Sequence, residues 1–357
     1  MFVMIIDHVG GETSWLYALT GGNRLIVSAA EGFVLLSGIA MGMVYEKVIK
    51  RRGFRAMFAK VFERAWLLYL LTIILTIVFA AVSNVLGTPW AEDATPAKSR
   101  TDFLLSVVTL HRSYSLTDVL LLYTLLMLGA GPALWLISHG RTGLVLVASW
   151  TAWTVRQIWP DRIPVAWHIT DGGFPFSAWQ ALFFSGLVLG YHRQRITSHL
   201  RPSRLLMVGV VLLVVLVMVE LTTLDTIVFR LSAGASDVHD MLFKKNDARI
   251  GRMIALFSLA AFSYAIVTLA WTPIRRGTGW LLLAMGQRAL FAYIVQLFVV
   301  AFFSSDLMAP VRLDRENALF QGTAVLMVWL ACLAEPRVRA RWQQMIARVR
   351  GNPQATT

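Results

Sequence analysis

The chain is short of charge, of acids especially, and of cysteine. Only 15% of its 357 residues are charged, against about a quarter in soluble domains. Hydrophobic residues make up 57%, with a mean hydropathy of +0.63. This excludes an ordinary water-soluble domain and indicates an all-α polytopic membrane protein. The single cysteine, Cys332, rules out an intrachain disulfide and lies in an apolar run that says nothing of redox compartment. Basic residues exceed acidic ones, 33 to 20, but they fall in short clusters between apolar stretches. That pattern suits topology and a lipid bilayer partner, so no nucleic-acid partner is expected. His139, His192, His199, His168 and His239 lack metal-ligand spacing, so neither a metal nor a permanently bound cofactor is expected.

Apolar runs of about 20 residues suffice to span a bilayer. The sequence predicts spans at Leu25–Tyr45, Ala65–Leu86, Val119–Ser138, Leu144–Trp159, Ala178–Tyr191, Leu205–Leu221, Met253–Trp271, Trp280–Phe303 and Ala318–Leu333. Met1–Ile6 precedes them as a stump, too short and too poor in basic and small residues to read as a cleavable signal peptide. Lys47 to Arg64, then Arg141, then Arg193 to Arg204, then Arg275 and Arg276, and the tail Arg337 to Arg350, occupy alternate connections. The positive-inside bias makes these cytoplasmic, with both termini on that side. Residues 1–335 then form the transmembrane domain and 336–357 a basic cytoplasmic tail. Lys47–Arg64, with Phe54, Met57, Phe58 and Phe62 among its charges, reads as an amphipathic helix on the inner surface. Trp90, Trp159, Trp167, Trp179, Trp271 and Trp280 near span ends suggest an interfacial aromatic belt.

Ionisable side chains at membrane depth cost about 2.5–3.5 kcal/mol even on the milder scales, and so mark candidate function. Asp7 and His8 follow the stump, and Glu31 sits six residues into the first full span. A histidine with two carboxylates is equipment for proton transfer, though a structural ion pair has the same composition. Arg288, eight residues past Trp280, would lie roughly 12 Å into the bilayer. There it suits a phosphate or carboxylate ligand, or an ion pair with Glu31. The run His111-Arg-Ser-Tyr-Ser-Leu-Thr-Asp118, followed by Tyr123, either caps a helix through Thr117 or Asp118 or binds a hydroxylated acceptor. Ser37-Gly38-Ile-Ala-Met-Gly42 and Gly186-Leu-Val-Leu-Gly190 carry small residues at four-residue spacing and are expected to permit close helix packing. Ser37 has no nucleophile elbow around it.

Four blocks, Ile-Ile-Asp7-His8-Val, Ala-Ala-Glu31-Gly-Phe-Val-Leu-Leu-Ser37-Gly38, Leu-Thr-Asp118-Val-Leu-Leu-Leu-Tyr123 and Met-Gly286-Gln-Arg-Ala-Leu-Phe-Ala-Tyr293, resemble the OpgC family of membrane acyltransferases, within the acyltransferase-3 superfamily. The resemblance runs from the stump to the span Trp280–Phe303. It implies about ten transmembrane helices, the first one truncated here, in the bacterial inner membrane. It also implies transfer of a succinyl-type acyl group from cytoplasmic acyl-CoA, as co-substrate, to a hydroxyl of a periplasmic glucan. The family's histidine maps onto His8 and its acidic position onto Glu31. A basic residue usual upstream of the histidine would precede Met1, and the aspartate often found before Ala-Ala-Glu is Ser28 here. On this reading His8 is a general base oriented by Glu31 or Asp7, with Arg275, Arg276 and Arg288 toward the CoA phosphates. Asp118, Tyr123, His111 and Ser37 would lie toward the glycan acceptor. A proton-coupled transporter using Asp7, His8 and Glu31 as a relay is the alternative.

Overall fold

The computed structural model describes residues 1–9, 14–20, 27–86, 99–113, 117–160, 174–223, 241–305, 308 and 318–349. Tyr114, Trp90, Trp167, His168 and His239 lie outside them. The described residues form helices and no strand. In order they are α1 Phe2–His8, α2 Trp15–Thr20, α3 Ala29–Leu86, α4 Arg100–Val108, α5 Asp118–Ser138, α6 Thr142–Ile158, α7 Phe176–Tyr191, α8 Arg193–His199 and α9 Pro202–Thr223. After these come α10 Ile250–Leu269, α11 Trp271–Gly286, α12 Ala289–Ser304 and α13 Ala318–Val349. Four helical stretches are long and apolar enough to cross a membrane, or up to six if each of two sharply bent helix pairs counts as one span. The chain divides into two compact units, one made of residues 1–23 with 270–357 and the other of residues 24–269.

In the second unit α3 is two rods joined at Gly53, whose φ of 76° is open to glycine at little cost. The second rod runs back along α5: Phe54 stacks on His139, and Phe58 and Val61 lie over Gly131. Lys47–Arg64 is therefore the corner between two rods, with Met57 and Val61 buried, and not a separate surface helix. The first rod packs on α7 through the two small-residue patterns. Gly38 and Gly42 meet the Phe183 and Leu187 backbone, while Gly186 and Gly190 meet that of Leu35 and Ile39. Each glycine faces a carbonyl oxygen with no room for a Cβ, as close helix packing requires.

The segment 244–249 is tied to the ends of α6 and α7. Trp153 Nε1 donates to the Ala248 carbonyl, Trp179 Nε1 to that of Asn246, and Gln157 to that of Asp247. The buried Asp247 carboxylate accepts from Arg156 at 3.1 Å and pairs with Lys244 at 3.6 Å. Trp179 is thus fully buried, and for that reason not part of an aromatic belt. Trp159, Trp271 and Trp280 are exposed, as a belt requires.

In the first unit α1, α12 and α13 pack together. The side chain of Gln321 on α13 ties α1 and the start of α2 to it: its Nε2 donates to the Ile6 carbonyl at 3.0 Å and its Oε1 accepts from Ser14 at 2.5 Å. The expected span Trp280–Phe303 is broken, because α11 and α12 meet at 83° across Gln287 and Arg288. α13 continues through Pro336 into the basic tail.

Candidate active site

α1 ends at His8, whose imidazole is held by the last turn of the helix. His8 Nδ1 lies 2.6 Å from the Met4 carbonyl oxygen, one helical turn back. A carbonyl only accepts, so Nδ1 carries the proton and the neutral ring keeps its lone pair on Nε2. One partner of the ring is thus a backbone carbonyl of the same helix. Asp7 accepts the Thr20 hydroxyl at 2.7 Å, which fastens α2 to the end of α1. His8 and Asp7 are therefore both held within the first unit.

Glu31 belongs to the second unit and is 1% exposed. It stands in the first turn of α3, and Arg252, in the first turn of α10, grips it with both arms of the guanidinium. Nε reaches Oε1 at 2.5 Å and Nη2 reaches Oε2 at 3.1 Å. The Ser28 backbone N–H adds a third bond to Oε2 at 2.7 Å, and Arg252 Nη1 donates to the Phe243 carbonyl at 3.3 Å. This bidentate pairing fixes both direction and register. The expected Glu31–Arg288 pair is not formed. Arg288 sits at the α11–α12 bend, half-buried, with its Nε 3.2 Å from Glu335 of α13, so it is not deep within a straight span. Sequence reasoning missed Arg252. A signal lies in Arg249 and Arg252, which immediately precede the span Met253–Trp271, where an arginine at the edge of an apolar run needs a specific acid.

The residues expected to contact an acceptor also separate by role. Tyr123 of α5 brings its hydroxyl within 3.0 Å of Ser37 Oγ and 3.1 Å of the Phe33 carbonyl, with its ring edge-on to Phe33 and Phe183. Ser37 and Tyr123 thus clasp α3 to α5. Asp118 accepts from the Val119 N–H at 2.7 Å and feels the attraction of Lys245. Thr117, at the N-cap position, makes no capping bond with its side chain, while the Asp118 carboxylate takes the otherwise unpaired Val119 N–H. His111 is exposed, with its Nδ1 2.9 Å from Thr109 Oγ1. Ser28 Oγ and Ser113 Oγ are buried without a hydrogen-bond partner, at the start of α3 and shortly before α5. Arg275 and Arg276 are exposed on α11. Among the described residues no three His, Cys, Asp or Glu side chains gather as metal ligands.

A family model described as "OpgC protein" matches residues 1–345. No curated protein and no solved structure matches the chain.

Proposed function

We propose, from the premise that the chain belongs to the OpgC family, that it is a membrane O-acyltransferase using His8 as general base. The donor is a cytoplasmic acyl-CoA with a succinyl-type acyl group, and the acceptor is a hydroxyl of a periplasmic or cell-envelope glycan. Family membership supports a membrane transferase acting on glucans. The observation that carries the finer reading is the Nδ1–H bond from His8 to the Met4 carbonyl, which makes Nε2 the basic nitrogen. Nε2 takes the proton of the acceptor hydroxyl as its oxygen attacks the thioester carbonyl. The tetrahedral intermediate then expels the CoA thiolate, which receives that proton from the imidazolium, leaving an ester and free CoA. The exposed Arg275 and Arg276, with Arg288, suit the donor's phosphates from the cytoplasmic side. Asp118 and His111, in the second unit, keep their reading as candidate contacts for sugar hydroxyls.

On this reading Glu31 is a positioning residue, since its carboxylate is engaged by Arg252. That engagement also weighs against the transporter alternative, because a relay carboxylate must exchange its proton. About ten transmembrane helices, an inner-membrane location and cytoplasmic termini complete the proposal. The test is His8→Ala and His8→Gln in cells whose envelope glycans are analysed by mass spectrometry. Loss of an acyl mass with folded protein in the membrane is expected, by about 10²–10⁴-fold in rate. Unchanged acylation in either variant would falsify the assignment.

A further inference from the structure

Among the described residues the first unit holds two fully buried glutamines that behave oppositely. Gln321 uses both ends of its amide, on Ser14 and on the Ile6 carbonyl. Gln296, at the middle of α12 and 0% exposed, has neither its Oε1 nor its Nε2 hydrogen-bonded. Buried side-chain amides are nearly always satisfied, and one with both ends open inside an apolar helix asks for a ligand that satisfies it.

The neighbours of Gln296 define what that ligand is. Ala292, Tyr293, Leu297 and Val300 share its buried stripe, at spacings that place them on one face. Apart from the tyrosine these side chains are small or aliphatic, and offer nothing to a ring bearing many hydroxyls. A slender chain of methylenes with an isolated secondary amide fits better. A secondary amide presents one N–H and one C=O, which a carboxamide answers with its own acceptor and donor.

Resting on the acyltransferase reading above, we propose that Gln296 is a donor-binding residue that hydrogen-bonds an amide of the pantetheine arm of acyl-CoA. Pantetheine carries two secondary amides between the nucleotide and the thiol. Gln296 therefore holds the arm in the same unit as His8 while taking no part in proton transfer.

The test uses the full chain in lipid nanodiscs, titrated with free coenzyme A and separately with adenosine 3′,5′-bisphosphate, which keeps the nucleotide but lacks the arm. Gln296→Leu should bind coenzyme A about tenfold more weakly, the loss of one to two hydrogen bonds, with adenosine bisphosphate affinity unchanged. It should be at least as stable as wild type without ligand, because an unsatisfied buried amide is gone. Gln296→Met, more accommodating in shape, gives the same readout if the leucine packs badly. Affinity for coenzyme A within about twofold of wild type would sink the proposal, as would an equal loss for both ligands, or destabilisation by both substitutions. A wild-type protein that binds no coenzyme A would remove the acyltransferase reading together with this one, whereas the other failures leave that reading standing.

Discussion

Removing either partner of the Glu31–Arg252 pair leaves a charge stranded at 1% or 5% exposure. Such half-removals cost about 3–5 kcal/mol, while replacing both charges by apolar groups is often neutral or favourable. Here the double replacement keeps two further debts, the Ser28 N–H and the Phe243 carbonyl, which lose their partners. At about 1 kcal/mol each, these put Glu31→Leu/Arg252→Met roughly 2 kcal/mol below wild type. The two single variants should each fall by about 3–5 kcal/mol, so their sum should exceed the double by about 4 kcal/mol or more. Equilibrium unfolding in mixed micelles, followed by tryptophan fluorescence, measures all four corners of the cycle. Transfer assays on the same proteins then separate two roles. A positioning pair allows the double variant measurable turnover, whereas a reacting Glu31 would make it as inactive as His8→Ala. Single variants within about 1 kcal/mol of wild type, or an additive double, would refute the reasoning.

Gly38→Ala and Gly190→Ala each drive a methyl into a facing backbone carbonyl, of Phe183 or Ile39 respectively. Each should lose about 1–3 kcal/mol by overpacking; Gly32→Ala, which meets nothing within 4 Å, is the control for the same thermal melts. Gln321→Leu strips Ser14 and the Ile6 carbonyl of their partner and should cost about 1–3 kcal/mol, with α1 gaining protease sensitivity and hydrogen exchange. His192, bonded to Thr142 at 2.9 Å, has its pKa lowered from 6.5 by burial and then by Arg195. Its folded state therefore binds the proton less readily than the unfolded chain. Stability is full above about pH 6.5 and declines as pH falls through the lower folded value. Melting curves across that window should lose this acid slope in His192→Gln; an unchanged slope would count against the environment described.

The sequence made legible what a single helix carries in its own spacing. Gly38, Gly42, Gly186 and Gly190 stood out as close-packing positions, and the structure seats them face to face. Glu31 stood out because a lone carboxylate in a span needs a partner. The partner did not, because Arg252 lies 221 residues further on and pairing across that separation leaves no local pattern. The place of Arg288 is illegible for a different reason. Trp280 to Phe303 is continuous in hydrophobicity, so periodicity predicts one rod, and no proline marks the break. The glycines and arginines of α11, Arg275-Arg276-Gly277-Thr278-Gly279, were the available sign that this stretch is amphipathic and ends where the apolar helix begins. Gly53 likewise turned a basic amphipathic pattern into a corner, since helical periodicity survives across one residue of positive φ.

What the backbone does for His8 leads to the most direct test of the chemistry. An imidazole at a helix end has two neutral tautomers of similar energy in water, and only one leaves Nε2 basic. The 2.6 Å approach of Nδ1 to the Met4 carbonyl selects it, since the other tautomer would set a lone pair against a carbonyl lone pair. Protein labelled with 15N-histidine, compared with His8→Gln to identify the resonances, reports which nitrogen carries the proton at neutral pH. Protonated Nδ1 and bare Nε2 are expected. A bare Nδ1 would contradict the geometry and remove the base from the proposed reaction, because the proton would occupy the nitrogen that has to receive one. Acidification acts in the same direction as that failure: protonating Nε2 fills the lone pair, so transfer should fall with decreasing pH in proportion to the imidazolium signal of this one residue.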